Sequence, residues 1–507
     1  MARLTWLGSA EQRWRRGALL VWAVVMLGIF NCGISHEEHI RLAQSYRQGT
    51  MWQEGHSALT LLRGHLADEY DLRRYYAYTN ALLGRPYYSY YVRPWADWQR
   101  EFTAGQPAPD DDGPLRTPAA PLAPYRDYLV EYPPGFFLFT ALPALLLPAG
   151  DHGELYRILF CTEMALLLFL GTWLCTRMRP LLPPAARTDT DSWLWLLGAL
   201  AALLLGPVST HRLDPVVSVL LCGLSWAALA GRPALLGGLL AAAIASKGVP
   251  LLVAPIWAVY LYLRPQASQR PGDRGGLGRG LAAGLLAGGS FVGVVLLCYG
   301  LTPFDSLRYH GLRPLQLEST GAAVLGLLQA GWPGSIENVM SYGSYNLLPV
   351  GPALAGCEAL LRKLCTPLLL LGVLGVYAVT GLRMRMLARR GALAELGEWA
   401  LRGQAAVLVI YMISGKVFSP QYLVWLLPLG LFLSLRRGPR LTRLLLGVLG
   451  LTQLVFPALY DQLQGLNAWA FAVVLLRNCL LLGWALLLLR GPRLRGGGPL
   501  VDPVPAV

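Results

Sequence analysis

The chain has 507 residues, of which 54% are hydrophobic and only 14% charged, with a mean hydropathy of +0.44. Soluble globular proteins carry about 25% charged residues, so this composition excludes an ordinary soluble domain and reads as a polytopic membrane protein. The formal net charge of +14 is spread in short clusters between apolar runs, such as Arg177, Arg179 and Arg187, Arg383 to Arg390, or Arg436 and Arg437. That is the distribution the positive-inside rule produces, so the charge reports topology and argues against a nucleic-acid partner.

Taken in chain order, the first apolar segment, Gly17 to Ile34, follows basic residues and lacks a small-x-small cleavage site, so it reads as an uncleaved signal anchor. The polar stretch that follows contains "HEEHIRLAQSYRQGTMWQEGHSALTLLRGHL" and "DLRRYYAYTNALL". Their apolar residues recur at helical spacing, which predicts helices on the membrane surface. "HEEH" reads as the start of such a helix rather than as a metal motif. Residues 104–124, rich in Pro, Ala and Asp, read as a loop or lid with a solvated "DDD" run. The density of Tyr and Trp in "YYAYTNALLGRPYYSYYVRPWADW" fits both an interfacial belt and a wall for stacking sugars.

"YRDYLVEYPPGFFLF" (125–139) then places charged residues and a Pro-Pro pair before an apolar run of about fourteen residues. A crossing needs roughly 20. Counting this run as a crossing would also turn every later Arg cluster outward, so it is predicted to dip into the membrane and return, or to lie along it. Twelve other segments are candidate spans: 17–34, 155–175, 192–207, 214–230, 233–247, 249–264, 280–300, 358–381, 396–414, 421–436, 440–459 and 467–490. With the Arg clusters in the cytoplasm these alternate with both termini inside. The fold expected is all-α and polytopic, in five parts: 1–34, the anchor; 35–134, a large noncytoplasmic loop; 135–435, the core; 436–490, a helical hairpin; and 491–507, a cytoplasmic tail.

This topology sends the chemically interesting residues to the noncytoplasmic side. The chain has three lysines, and two of them, Lys247 and Lys416, stand at the outer ends of apolar segments, each closely followed by Pro. They read either as snorkelling to headgroups or as compact charges for an anionic group. In "HRLDP", Asp214 and Pro215 fit a helix start, while His211 and Arg212 beside them fit a shared anionic ligand. "RYHGLRPLQLEST" gathers Arg308, Tyr309, His310, Arg313, Gln316, Glu318 and Ser319. The set supplies donors for phosphate and acceptors for hydroxyls, and no HExxH spacing for a metal. The outer acids are Glu37, Glu38, Asp68, Glu69, Asp71, Asp127 and Glu131.

"DLRRYYAYTNALLGRPYY", "YRDYLVEYPPGFF", "HRLDP", "ASKGVPLLVAP", "RYHGLRPLQLES" and "GKVFSPQYLVWLLP", in this order, resemble the bacterial GT-C superfamily of multispanning glycosyltransferases, in particular its polyprenol-phosphate-dependent mannosyl- and arabinofuranosyltransferases. The resemblance runs from about residue 15 to 435. It implies a GT-C-like fold in the cytoplasmic membrane of a bacterium and a polyprenyl-phosphate sugar donor. It also implies a glycan, lipid or protein acceptor on the outer face, and inverting displacement with a first-loop carboxylate as base. On these positions the base is Asp71, with Glu37 and Glu38 as alternatives because they follow the first crossing directly, as the family's acid does. Arg212, Lys247, His310, Arg313 and Lys416 would hold the donor phosphate. Tyr87, Arg126, Asp127, Glu131, Asp214, Gln316, Glu318, Gln421 and Tyr422 would contact sugar or acceptor. No cofactor is firmly implied, a divalent metal ion remaining open. The competing readings are a lipid-linked sugar flippase or transporter, and a non-catalytic scaffold in polysaccharide assembly.

Overall fold

The structure, a computed structural model, describes residues 10–29, 70–94, 96–98, 113–184, 190–268 and 275–490. Glu37, Glu38, Asp68, Glu69 and the "HEEH" stretch lie outside the described residues. The described chain is a helical membrane protein in which six helices are long and apolar enough to cross a bilayer. In order, the helices are α1 (Ala10–Ala23), α2 (Tyr70–Leu82), α3 (Phe137–Leu145), α4 (Gly153–Met178), α5 (Thr190–Leu205), α6 (Asp214–Leu229), α7 (Pro233–Ser246), α8 (Ala254–Ser268), α9 (Gly276–Tyr299), α10 (Asp305–Leu312), α11 (Thr320–Leu328), α12 (Ala355–Arg389), α13 (Leu393–Ser414), α14 (Leu427–Arg437), α15 (Pro439–Gln453), α16 (Tyr460–Gln464) and α17 (Ala468–Leu489).

Proline decides where several of these helices begin and end. Pro-led 3-10 turns at Pro134–Phe136, Gly206–Ser209, Val249–Val253 and Pro420–Leu426 interrupt the apolar runs. Proline fixes φ and lacks an N–H, so it opens a short turn more readily than it continues a helix. The apolar run 440–459 breaks for the same reason. Phe456, which precedes Pro457, has φ −128° and ψ 117°, the extended conformation that a following proline favours.

The Pro-Pro-Gly step before α3 has a specific packing role. A Cβ on Gly135 would lie 2.5 Å from the carbonyl oxygen of Ala245, so only glycine lets this turn press against the end of α7 beside Lys247. α3 itself has nine residues. At 1.5 Å per residue it rises about 13 Å, less than half of the roughly 30 Å hydrocarbon core.

One departure from the sequence reading concerns α2. α2 is a helix as its periodicity predicts, but it does not lie exposed on the membrane surface. Tyr75, Ala77 and Ala81 are completely buried in an aromatic cluster with Phe136, Tyr128, Tyr156 and Phe160. "IENVMSYGSYN" (336–346) forms an antiparallel hairpin, β4 (Ile336–Ser341) with β5 (Ser344–Pro349), joined by Tyr342 and Gly343 at φ 52° and 67°. Two successive positive φ values are what a two-residue hairpin turn with right-handed twist needs. β5 also pairs with β3 (Leu315–Gln316), giving the order β3-β5-β4. A second, two-residue pair joins β1 (Tyr87–Tyr88) to β2 (Leu115–Arg116).

α7 and α9 approach closely through glycine, the small-residue contact that lets membrane helices pack without a hydrophobic driving force. A Cβ on Gly237 would stand 2.1 Å from the Gly280 carbonyl oxygen and 2.8 Å from the Gly284 nitrogen, whereas one on Gly238 would meet nothing within 4 Å. Gly237→Val should therefore lower the thermal midpoint of the detergent-purified protein, by an overpacking cost of about 1–3 kcal/mol. Gly238→Val should leave it unchanged. Equal midpoints for the two variants would contradict this crossing.

Candidate active site

The polar centre starts from one turn. Gly206–Ser209 ends the helical run of α5, and the next residues, Thr210 to Asp214, are all buried before α6 begins. Arg212 points its Nε at Asp71 Oδ2 of α2, 2.9 Å away, and also donates to Gln421 Oε1 at 3.1 Å. Asp71 Oδ1 accepts no hydrogen bond from the described residues. Two residues beyond Arg212, Asp214 Oδ1 takes the Lys247 ammonium at 2.7 Å and the indole N–H of Trp425.

Asp214 therefore does not cap its helix. Leu213 occupies the N-cap and no side-chain cap bond forms. Nor does Lys247 snorkel outward. Its ammonium lies 5.1 Å from the Tyr422 ring centre and 4.9 Å from that of Trp425, and those two rings stack at 4.4 Å. An ammonium over aromatic faces and against a carboxylate is fixed in place, so Lys247 is a partly neutralised, rigid element of the site.

Glu131 is tied to the same helix, α2. It pairs with Arg74 of α2 and accepts from the Tyr78 hydroxyl at 2.8 Å. Burial alone would push its carboxyl up, but Arg74 and Tyr78 hold it below the usual carboxylate value. Both oxygens are thus engaged within the protein, so Glu131 ties the "YRDYLVEYPP" segment to α2 rather than facing a ligand. His310 Nε2 donates to the Glu131 carbonyl oxygen at 3.2 Å. Arg126 and Asp127 pair with each other at 2.9 Å on the exposed surface, and Tyr87 sits half-buried against the aromatic cluster.

Arg313 and Lys416 differ from the other cations. Arg313 is buried and donates to the Ser344 hydroxyl, with its Nε unpartnered. Among the described residues Lys416 donates to the Gly311 carbonyl oxygen at 2.7 Å. Neither has a carboxylate partner among the described residues. Half burial, then the nearby Arg362 and Arg313 charges, pull the Lys416 ammonium below its ordinary value. Glu318 lies within electrostatic reach of Arg313 and Glu358 of Lys416, but neither carboxylate bonds these cations, which leaves their donors able to hold an anion between or beside them. Tyr422 lies within electrostatic reach of Arg313, Asp214, Asp71 and Glu318, which places these groups around one phenol.

The sequence reading missed Arg74, Tyr78, Ser344, Trp425 and Arg477. Arg477, a lone cation inside an apolar run, had a readable signal, because an ionisable residue at membrane depth is costly enough to need a purpose. It is fully buried on α17, donates to the Glu318 carbonyl oxygen at 2.9 Å and lies 4.3 Å over the Phe418 ring. Gln316 joins the same network, donating to Glu318 Oε2 at 2.8 Å and accepting from the Phe418 N–H at 2.8 Å. Among the described residues no group of three His, Cys, Asp or Glu side chains is placed to hold a metal ion.

Glu318 carries a pH signature. Burial pushes its carboxyl up to about 7, with Arg477 and Arg313 opposing that rise. A carboxyl raised in the folded state binds its proton more tightly there, so its contribution is full below the unfolded value and is lost as pH climbs to about 7. Relative to wild type, Glu318→Gln, which keeps the neutral shape, should gain thermal midpoint between pH 5 and pH 7.5. A difference from wild type that stays constant across that range would show that Glu318 does not titrate there.

In comparisons with known proteins, no family model and no curated sequence matches this chain, so the functional argument rests on the chemistry of this site.

Proposed function

We propose that the protein is a membrane glycosyltransferase, transferring a sugar from a polyprenyl-phosphate donor to an acceptor hydroxyl at the noncytoplasmic face of a bacterial cytoplasmic membrane. The observation that carries the reading is the convergence of an oriented carboxylate, Asp71, and a cation without a bonded carboxylate, Arg313, around Tyr422, with a second such cation, Lys416, within electrostatic reach of Arg313. These come from elements spread over more than 300 positions of the chain.

In this reading the twelve apolar segments cross the membrane with both termini in the cytoplasm, and α3 dips in from the outside. Asp71 Oδ1 accepts the proton of the acceptor hydroxyl while Arg212 holds Oδ2 and so fixes the direction of the other oxygen. The acceptor oxygen forms its bond to the anomeric carbon as the bond from that carbon to the phosphate oxygen breaks, with inversion. The electron pair leaves with polyprenyl phosphate, whose developing charge Arg313 and Lys416 stabilise. The Lys247–Asp214 pair, boxed by Tyr422 and Trp425, sets the wall of the site, and Gln421 shares Arg212 with Asp71. Aromatic faces and side-chain amides suit a sugar ring.

Purified protein should transfer label from a radiolabelled polyprenyl-phosphate mannose or arabinose to an acceptor. Asp71→Asn should lower the rate about 10²- to 10⁴-fold, the range for a lost general base, with donor binding retained. Arg313→Gln and Lys416→Gln should weaken donor binding. Full activity in Asp71→Asn would move the base to Glu37 or Glu38. Absence of transfer with every pairing, together with movement of a lipid-linked sugar across vesicles, would replace the enzyme with a flippase.

A further inference from the structure

A second cationic centre lies at the far end of the same helices. Glu398 sits sixteen residues before Ser414 on α13, about 24 Å along the helix axis from the end that leads into Lys416. It is buried and its two oxygens serve two different arginines. Oε1 takes Arg402, one turn along α13, and Oε2 takes Arg436 of α14 at 3.2 Å. Arg437, next on α14, lies within electrostatic reach of both Arg402 and Glu398 and donates to the Arg490 carbonyl oxygen at 2.6 Å.

Among the described residues the charges there do not balance. Three guanidinium groups face one carboxylate, and that carboxylate has no oxygen left. Four buried nitrogens remain without an acceptor: Arg402 Nε and Nη1, Arg436 Nε and Arg437 Nε. Arg402 and Arg436 are 5% and 7% exposed, so water does little to compensate them. Arg436 reaches the Pro183 carbonyl oxygen, and the Arg402 guanidinium lies 5.0 Å over the Trp399 ring, but neither contact supplies negative charge. Nearby Arg179, by contrast, has its own carboxylate in Asp191 at 3.1 Å.

Burying an uncompensated charge costs several kcal/mol, and the arginine fork matches a tetrahedral oxyanion in geometry as well as charge. We infer that the Glu398–Arg402–Arg436–Arg437 cluster is a binding site for a phosphate group, separate from the Asp71 centre and at the opposite end of α13 and α14. A phospholipid headgroup and a soluble phosphoryl compound offer the same chemistry. A basic pocket between helices near the bilayer surface suits the former.

The test uses the full-length protein and its thermal midpoint. One arm adds inorganic phosphate against chloride at equal ionic strength. The other compares phosphatidylglycerol nanodiscs with phosphatidylcholine nanodiscs. A midpoint rise of about 2 °C or more is expected in at least one arm. It should be lost in Arg402→Gln and in Arg437→Gln, and retained in Lys416→Gln at the other end. Arg437→Gln leaves both bonds of Glu398 intact, so its result stands even if Arg402→Gln folds poorly. A response to inorganic phosphate identifies a soluble phosphoryl ligand, and a response to phosphatidylglycerol alone identifies a headgroup. No response in either arm overturns the assignment. So does a rise that survives Arg437→Gln, or one that disappears in Lys416→Gln.

Discussion

Two ion pairs, Arg212 with Asp71 and Asp214 with Lys247, hold the polar centre of this protein together, and both spring from the buried segment that leads from α5 into α6. Through them three parts of the chain remote in sequence meet: α2, the end of α7, and the Pro-led turn Pro420–Leu426 that supplies Gln421, Tyr422 and Trp425. Each charge is mostly removed from water, and loss of one partner of such a pair costs about 3–5 kcal/mol because the other is left stranded. The turn thus constrains the position of Asp71 more tightly than α2 could by itself. That rigidity is what a group handling a proton requires.

A division of labour follows from counting partners. Asp71, Asp214 and Glu131 each have a cation, and the cations Arg212, Lys247 and Arg74 are committed to them. Among the described residues Arg313 and Lys416 donate to neutral acceptors, the Ser344 hydroxyl and the Gly311 carbonyl oxygen. The paired charges define the shape of the centre, and the cations that lack carboxylates define what it attracts. The same logic separates Glu398 and its arginines at the other end of α13, where the excess of guanidinium is greater and the cations that lie over aromatic rings, Arg402 on Trp399 and Arg436 on Phe432, share a single carboxylate. The two centres share helices but differ in chemistry.

Much of this was legible in the residues. Apolar length located the six helices long enough to cross a bilayer, proline located the ends of several helices, and the scarcity of lysine singled out Lys247 and Lys416. "HRLDP" stood out because so many polar groups in so short a turn have no solvent to face. Pairing was not legible. Asp214 with Pro215 reads as a helix cap, and only the approach of α7 and Trp425 shows that its carboxylate serves Lys247 instead. Glu131 reads like Asp71, yet Arg74, three residues along α2 from Asp71, claims it. The β4–β5 hairpin escaped because its alternation is weak in a polar stretch, although "SYGS" held the glycine its turn depends on. Arg477 escaped because its neighbours are so uniformly apolar that the segment reads simply as a span.

The central claim is that the outer centre binds a lipid phosphate beside Asp71. The most direct measurement is an electron cryomicroscopy map of the protein with polyprenyl monophosphate, the leaving group of the proposed reaction. Phosphate density in hydrogen-bond contact with Arg313 or Lys416, with the Asp71–Arg212 pair facing it across Tyr422, is the predicted result. Phosphate density found only at the Arg402–Arg436 end, or none under saturating lipid, would contradict the account.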